Sequence, residues 1–361
     1  MFYVIKMGWH EEGTTCRVDG ALKRALAGHP HVTVDRLSDF ARMFPENGPR
    51  EPGPHKLLFA VNLGVGGMSL GFARIIAYIS LHPRCLENCT GSVVVDGEDE
   101  LFTKKAGREM IFMANRSGCA FPGAPLVEAT GSLYNFNIRA RIQGIGNREA
   151  YENAVTQLVD KLLAFDGAPA PEGGRHKIAL FHASSRKTSN TLLLWSLVRK
   201  QLEPAAQIRE VSLRNGTVVD CRGCSYEACL HFGEQGDCFY GGVMVEEGYP
   251  AIRESDTLVF ACPNYNDAVS ANIMAFFNRM TALFRTDYRE FAKKRIFALV
   301  VSGYSGGDIV AEQVIDALNC NKHFILPPHF ALMETANDPG SILLNEGLEQ
   351  RVKEMARRIA G

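Results

Sequence analysis

The chain has 361 residues, 46% of them hydrophobic, and 39 basic against 40 acidic side chains give a formal net charge of -1. That length exceeds one typical core and sets two domains as the expectation, while a balanced charge with no long run of one sign excludes the electrostatic footprint of a nucleic-acid or anionic-membrane binder. No apolar run is long enough to span a bilayer, the start from Met1 to His10 lacks the features of a signal peptide, and a cytoplasmic protein is expected, in which ten cysteines favour metal, cluster or redox chemistry over a disulfide framework.

Taken in order, Phe2 to Lys6 reads as a strand, Cys16 to Ala27 as a helix ending at Gly28, and His31 to Val34 as a short second strand. Arg42 to His55 is rich in Pro, Gly and charge and reads as a loop. Leu57 to Val61 is a buried-type strand, followed by a turn through Gly64, Gly66 and Gly67 and a helix from Ser69 to Leu81. A strand from Val93 to Asp96, a helix from Glu100 to Arg116, a fifth strand from Pro125 to Ala129 and a helix from Glu149 to Phe165 complete a first domain, residues 1–165. Residues 166–175, Asp-Gly-Ala-Pro-Ala-Pro-Glu-Gly-Gly-Arg, have linker composition.

Residues 176–361 run the same way. Strands are expected at Ile178 to Phe181, Gln207 to Ser212, Thr257 to Ala261, Ile296 to Ser302 and His329 to Met333. Helices are expected up to Gln201, at Ser270 to Phe284, at Val310 to Leu318 and at Asn345 to Ile359, with a cysteine-rich insertion at 220–240. Alternating strands and helices imply parallel sheets wrapped on both faces, so the fold class is two tandem doubly wound α/β domains. Phe59-Ala60 matches Phe260-Ala261 at an offset of 201, and Val94-Val95-Asp96-Gly97 and Leu126-Val127-Glu128 match Val300-Val301-Ser302-Gly303 and Leu332-Met333-Glu334 at 206. Several such matches in order argue for duplication of a whole domain.

The stretch from Lys177 to Trp195 is strand, polar loop, helix. The free N–H groups of a first helical turn suit an anion, most naturally a phosphate, and Ser184, Ser189, Asn190 and Thr191 add donors beside Arg186 and Lys187. A capped surface helix accounts for this segment alone equally well. In a doubly wound sheet, however, loops at the carboxyl ends of the strands form the ligand crevice. The loop at Cys262 to Asn266 offers Tyr265, and the one at Ser302 to Asp308 offers glycine-rich backbone that a flat ring can approach. Together the three loops suit a flavin mononucleotide.

These residues resemble the flavodoxin-like NAD(P)H-dependent FMN reductases, including the iron-sulfur flavoproteins. Ala-Ser-Ser-Arg-Lys-Thr-Ser-Asn-Thr at Ala183 to Thr191 is similar to that family's phosphate loop, Cys-Pro-Asn-Tyr-Asn at Cys262 to Asn266 to its Ser-Pro-x-Tyr segment, and Asp-Cys-Arg-Gly-Cys at Asp220 to Cys224 to its Cys-x-x-Cys segment. The resemblance covers roughly residues 177–340. It implies two flavodoxin-like domains, each a five-stranded parallel sheet in the order 2-1-3-4-5. It further implies that Ser184, Arg186, Ser189, Asn190 and Thr191 hold the phosphate of FMN, that Pro263, Asn264, Tyr265 and Asn266 line the ring, and that Ser302, Gly303, Tyr304 and Gly307 lie beside it.

Cys221, Cys224, Cys229 and Cys238 are spaced x2, x4 and x8. Four thiolates in one segment suit a [4Fe-4S] cluster, as the resemblance also implies, although iron-sulfur flavoproteins carry a more compact run. A structural zinc, or redox-active or inert thiols that pack or cover the flavin, are the alternatives. Cys85 and Cys89 read as packed thiols and His182 as a histidine bonded to a neighbouring loop.

The expected function is an FMN-dependent NAD(P)H oxidoreductase that passes electrons to a quinone, an aromatic substrate or a redox-protein acceptor. The alternatives are an FMN/[4Fe-4S] electron-transfer flavoprotein and a non-catalytic flavin-binding regulator. In the first domain the loop from Met7 to Thr15 carries Glu11 and Glu12 where the second has basic and hydroxyl residues, so one flavin per chain is expected, bound by the second domain. The first is then a degenerate repeat, serving as an intramolecular pseudo-dimer partner or for stability alone, with homodimers formed through other surfaces left open.

Overall fold

The computed structural model describes residues 1–7, 17–170, 175–184, 188–203, 205–214 and 218–361. Two compact units are present: Met1–Gly167 with Pro327–His329, and Ala168–Leu326 with Phe330–Gly361. No described helix is long and apolar enough to cross a membrane.

The first unit runs β1 (Phe2–Met7), α1 (Arg17–Ala25), β2 (Val32–Val34), α2 (Leu37–Met43), β3 (His55–Leu63), α3 (Leu70–Leu81), β4 (Cys89–Gly97), α4 (Thr103–Arg116), β5 (Cys119–Ala120), β6 (Leu126–Ala129), α5 (Asn137–Gln143) and α6 (Asn147–Ala164). Its strands are parallel in the order β2-β1-β3-β4. The outermost position is shared by two short strands, β5 beside Cys89–Thr90 and β6 beside Val93–Asp96. Val4, Leu58, Ala60 and Val94 share a buried cluster with Leu22 of α1 and Val155 of α6. Strands covered on both faces read as continuous apolar runs, which is why β3 and β4 were legible. Three elements leave no such run, among them α5, which buries only Ala140. Strand β5 is too short to show a period, and α2, with the expected loop starting inside it, is held by the buried rings of Phe40 and Phe44, 5.0 Å apart.

The second unit runs β7 (His176–His182), α7 (Asn190–Leu202), β8 (Ala206–Ser212), α8 (Tyr226–Glu234), α9 (Tyr249–Glu254), β9 (Thr257–Pro263), α10 (Ala271–Phe291), β10 (Arg295–Ser302), α11 (Gly307–Val314), β11 (Ala331–Thr335) and α12 (Leu348–Ala360). All five strands are parallel in the order β8-β7-β9-β10-β11, the 2-1-3-4-5 arrangement of a flavodoxin-like sheet. Central β9 is buried at every position, and Phe181 of β7 stacks on its Phe260, with ring centroids 5.3 Å apart.

Boundaries move where backbone geometry intervenes. His329 has φ 51°, outside the extended region, so the last strand starts at Ala331 instead. Gly347, at φ 69°, delays α12 to Leu348. Helix α10 runs on to Phe291, whose ring is buried and stacks on Phe324 at 4.5 Å. The cysteine insertion contains a helix, α8. The ladders also revise the repeat. Phe59 pairs with Val93 and Phe260 with Ala298, so once Phe59 and Phe260 are equated, the fourth strands correspond as Val93 to Ala298, an offset of 205 rather than 206. A slip of one residue exchanges the two faces of a strand; short apolar strings cannot register it.

Candidate functional site

Three loops gather at the carboxyl ends of β7, β9 and β10. In the first, Ser184 is buried, while Arg186, with Ser185 and Lys187, lies outside the described residues, as do Glu11 and Glu12 of the first unit. Ser189 caps α7: its hydroxyl accepts from the Leu192 N–H at 3.3 Å and its carbonyl from the Leu193 N–H at 2.9 Å, so of the first turn the Asn190 and Thr191 N–H groups stand outside the cap. Thr191 is buried in that turn. The Asn190 side chain is committed elsewhere. Its amide donates to Asp338 O at 2.8 Å and accepts from the Gly340 N–H at 2.9 Å, fastening α7 to the loop after β11.

In the second loop Pro263 ends β9 and is buried. Tyr265 and Ala268 exchange backbone hydrogen bonds of 3.1 and 3.2 Å around a tight turn, in which Asn266 (φ 52°) and Asp267 (φ 56°) are left-handed. Asn and Asp tolerate that conformation better than other side chains, and the turn leaves the Tyr265 ring 59% exposed. In the third loop Ser302 is buried, Tyr304 is 81% exposed and Gly306 takes φ 83°. A Cβ on Gly306 would lie 2.0 Å from Asp267 Oδ1, so glycine is required where the two loops touch. Gly303 lies against the Asn337 side chain and Gly307 against the Ser302 hydroxyl.

Asn264 joins the second and third loops. Its Nδ2 donates to Ser302 Oγ at 3.1 Å and to Ser305 O at 2.9 Å. Gln313 of α11 adds a second tie, donating to Asp267 O at 3.1 Å and accepting from the Val269 N–H at 2.9 Å. Asn264 Oδ1, Ser270 Oγ and, at the end of β8, Ser212 Oγ are buried with no hydrogen-bond partner among the described residues. Buried polar groups are normally paired, and these three stand at or beyond the carboxyl ends of β8 and β9. His182 ends β7; burial holds its pKa below the ordinary histidine value, with the Ser184 backbone opposing the shift.

The four cysteines of the insertion line one cavity of about 180 Å³ with Phe232, Phe239, Arg279 and Arg285. Burial is the main cause raising the Cys229 thiol; Arg285 opposes it, and Cys221, Cys238 and Cys224 add to it. Among the described residues no three His, Cys, Asp or Glu side chains form a group that could hold a metal ion. Cys85, Cys89, Cys119 and Cys262 are core thiols: burial pushes Cys85 and Cys262 up to about 12 and raises Cys89 and Cys119 as well. Sequence reasoning missed the ties made by Asn264 and Gln313. It also missed Arg279, although an arginine in the apolar stripe of Phe276, Met280 and Leu283 was a visible signal.

Comparison with known proteins adds the following. An iron-sulfur flavoprotein of Archaeoglobus fulgidus is 28% identical over 134 residues, 37% of this chain and 66% of that protein, so slightly under two thirds of its length is spanned. Among solved structures, RosB with a bound 8-demethyl-8-formylriboflavin-5'-phosphate intermediate is similar at 16% identity and TM-score 0.41 over 51% of this chain and 77% of that one. An NAD(P)H:quinone oxidoreductase from Methanothermobacter marburgensis is similar at 16% identity and TM-score 0.40 over 52% and 98%. Residues 176–338, a span that contains the whole second sheet, match the profile of the NADPH-dependent FMN reductase family.

Proposed function

We propose that this protein is a flavin oxidoreductase in which the second unit binds one FMN at the carboxyl ends of β7, β9 and β10. The observation that carries the reading is the Asn264 tie, which locks two loops together while leaving its own Oδ1 buried and unpartnered. A planar ligand with ring N–H and carbonyl groups, such as an isoalloxazine, supplies partners of the required kind. Ser184, Ser189, Thr191 and the Asn190 and Thr191 N–H groups at the start of α7 receive the phosphate, with Arg186 as its cation; the Asn190 side chain acts by holding α7 in place. Pro263, Asn264, Tyr265 and Asn266 form one wall, and Ser302, Gly303, Tyr304 and Gly307 the other. The bound flavin would take hydride from NAD(P)H and release electrons to a quinone, an aromatic compound or a redox protein, while the protein supplies position and electrostatics. Recombinant protein reconstituted with FMN should be yellow after gel filtration and bleach with NADH or NADPH under anaerobic conditions. Protein that stays colourless overturns the reading.

A second reading is favoured by the convergence of Cys221, Cys224, Cys229 and Cys238 on one cavity. Four thiols lining one cavity fit a [4Fe-4S] cluster. The protein would then pass electrons between flavin and cluster. Anaerobic purification followed by iron and sulfide analysis decides it: about four irons per chain supports the cluster, and none removes it.

A further inference from the structure

The cysteine cavity has an electrostatic wall that the sequence motif does not contain. Arg279 lies on α10 and is 2% exposed. Its Nη1 donates to Val219 O at 3.3 Å and its Nη2 to Gly241 O at 2.8 Å. Those carbonyls flank the cysteines, Val219 just before Cys221 and Gly241 just after Cys238, so one buried side chain clasps both ends of the segment. The surrounding contacts agree: Asn278 donates to Asp220 Oδ1 at 3.0 Å, and Asp220 Oδ1 accepts the Cys221 N–H at 2.7 Å.

The clasp does not account for the whole side chain. Arg279 Nε is buried with no acceptor among the described residues, and both carbonyl partners are neutral. Removing a cation from water costs several kcal/mol unless an opposite charge answers it. Arg285, further along α10, lines the same cavity; it donates to Tyr226 O at 3.2 Å and lies 4.2 Å from the Tyr226 ring centroid. Three guanidinium groups, Arg222 of the cysteine segment being the third, and four thiols therefore surround one small space.

We infer that Arg279 and Arg285 are positioning residues for an anionic tetrathiolate iron-sulfur group, and that their charges favour its reduced form. This rests on the cluster reading above. Four thiolates make such a group negative, and one electron from reduced flavin makes it more negative by one charge, with no bond made or broken at the cysteines. Net charge and hydrogen bonds to sulfur are the levers that set such potentials. A fixed positive charge at the cavity wall and an unused N–H donor act in the same direction, raising the potential.

The test uses full-length wild type, Arg285→Gln, Arg279→Lys and Arg279→Gln, purified anaerobically, with iron and sulfide content, a potentiometric titration of the cluster spectrum and far-ultraviolet circular dichroism for each. Arg285→Gln should keep its iron and become at least tenfold harder to reduce, about 59 mV for a one-electron couple. Arg279→Gln should lose most of its iron, and Arg279→Lys should retain more iron and a potential nearer wild type. An unchanged potential in Arg285→Gln, or equal iron loss in both Arg279 variants, overturns the inference and leaves the cluster standing. Wild type without iron or sulfide removes the cluster, and the inference with it.

Discussion

Arg17 closes on Asp96 through two charge-assisted hydrogen bonds, Nε to Oδ2 at 3.1 Å and Nη2 to Oδ1 at 2.7 Å. The same guanidinium donates to Gly131 O and Thr130 O, each at 2.8 Å. Arg17 begins α1, the topological counterpart of the α7 start where the second unit would take a phosphate. In the first unit this end of the sheet is answered internally, by a carboxylate and two carbonyls, so its cation is not available to a ligand. Purified, FMN-saturated protein should therefore contain about one flavin per chain, by absorbance against amino-acid analysis. A ratio near two contradicts this.

The same pair makes a stability prediction. Asp96 has a side chain only 7% exposed, and removing its partner leaves a buried charge unanswered. Arg17→Met should cost about 3–5 kcal/mol in urea unfolding. A loss within experimental error would show that water reaches Asp96.

Gly306→Ala should perturb the loops proposed to hold the flavin. The new Cβ meets Asp267 Oδ1 at 2.0 Å, and φ 83° is already unfavourable for alanine, a combined strain of about 1–3 kcal/mol. We expect FMN affinity to fall by roughly tenfold or more, since 1.4 kcal/mol is a factor of ten. Unchanged affinity, measured by flavin fluorescence, would place the flavin away from this contact.

Asn264→Ala removes the tie to Ser302 and Ser305 together with the unpartnered Oδ1. FMN affinity should drop by more than in Tyr265→Ala, whose ring is largely exposed and whose backbone makes the turn. Equal effects would assign the ring, and not the amide, as the main contact.

His176 predicts a pH dependence. Its Nδ1 lies 3.0 Å from Ala360 O, which can only accept, so Nδ1 carries the proton and Nε2 accepts from the Thr257 hydroxyl at 2.9 Å. Burial first, and the nearby Arg295 charge, hold its pKa below the ordinary value of 6.5, although the Ala360 and Asp256 interactions oppose this. The unfolded chain then binds the proton more readily, so stability is full above about pH 6.5 and declines as pH falls from there towards the depressed folded value. His182, also depressed by burial, adds in the same sense. Replacing His176 with Gln should flatten the fall in unfolding free energy between pH 7 and pH 5; an unaltered slope would assign it to other groups.

The sequence by itself determined the alternation of strands and helices, the two parallel sheets and the order of the loops, because strands buried on both faces and glycine-rich or polar turns leave local patterns. It also named Asn264, Gly307 and the four cysteines as residues of interest. Their partnerships lay beyond it. The Asn190 side chain, whose residue the resemblance makes a phosphate donor, also ties down α7, through an acceptor at Asp338 and a donor at Gly340 that are distant in sequence. The offset of 205, the pairing of Arg17 with Asp96 and the clasp of Arg279 on Val219 and Gly241 were decided only by the tertiary structure. Each depends on ladder register or on a side chain reaching between elements far apart in sequence, and neither leaves a periodicity along the chain.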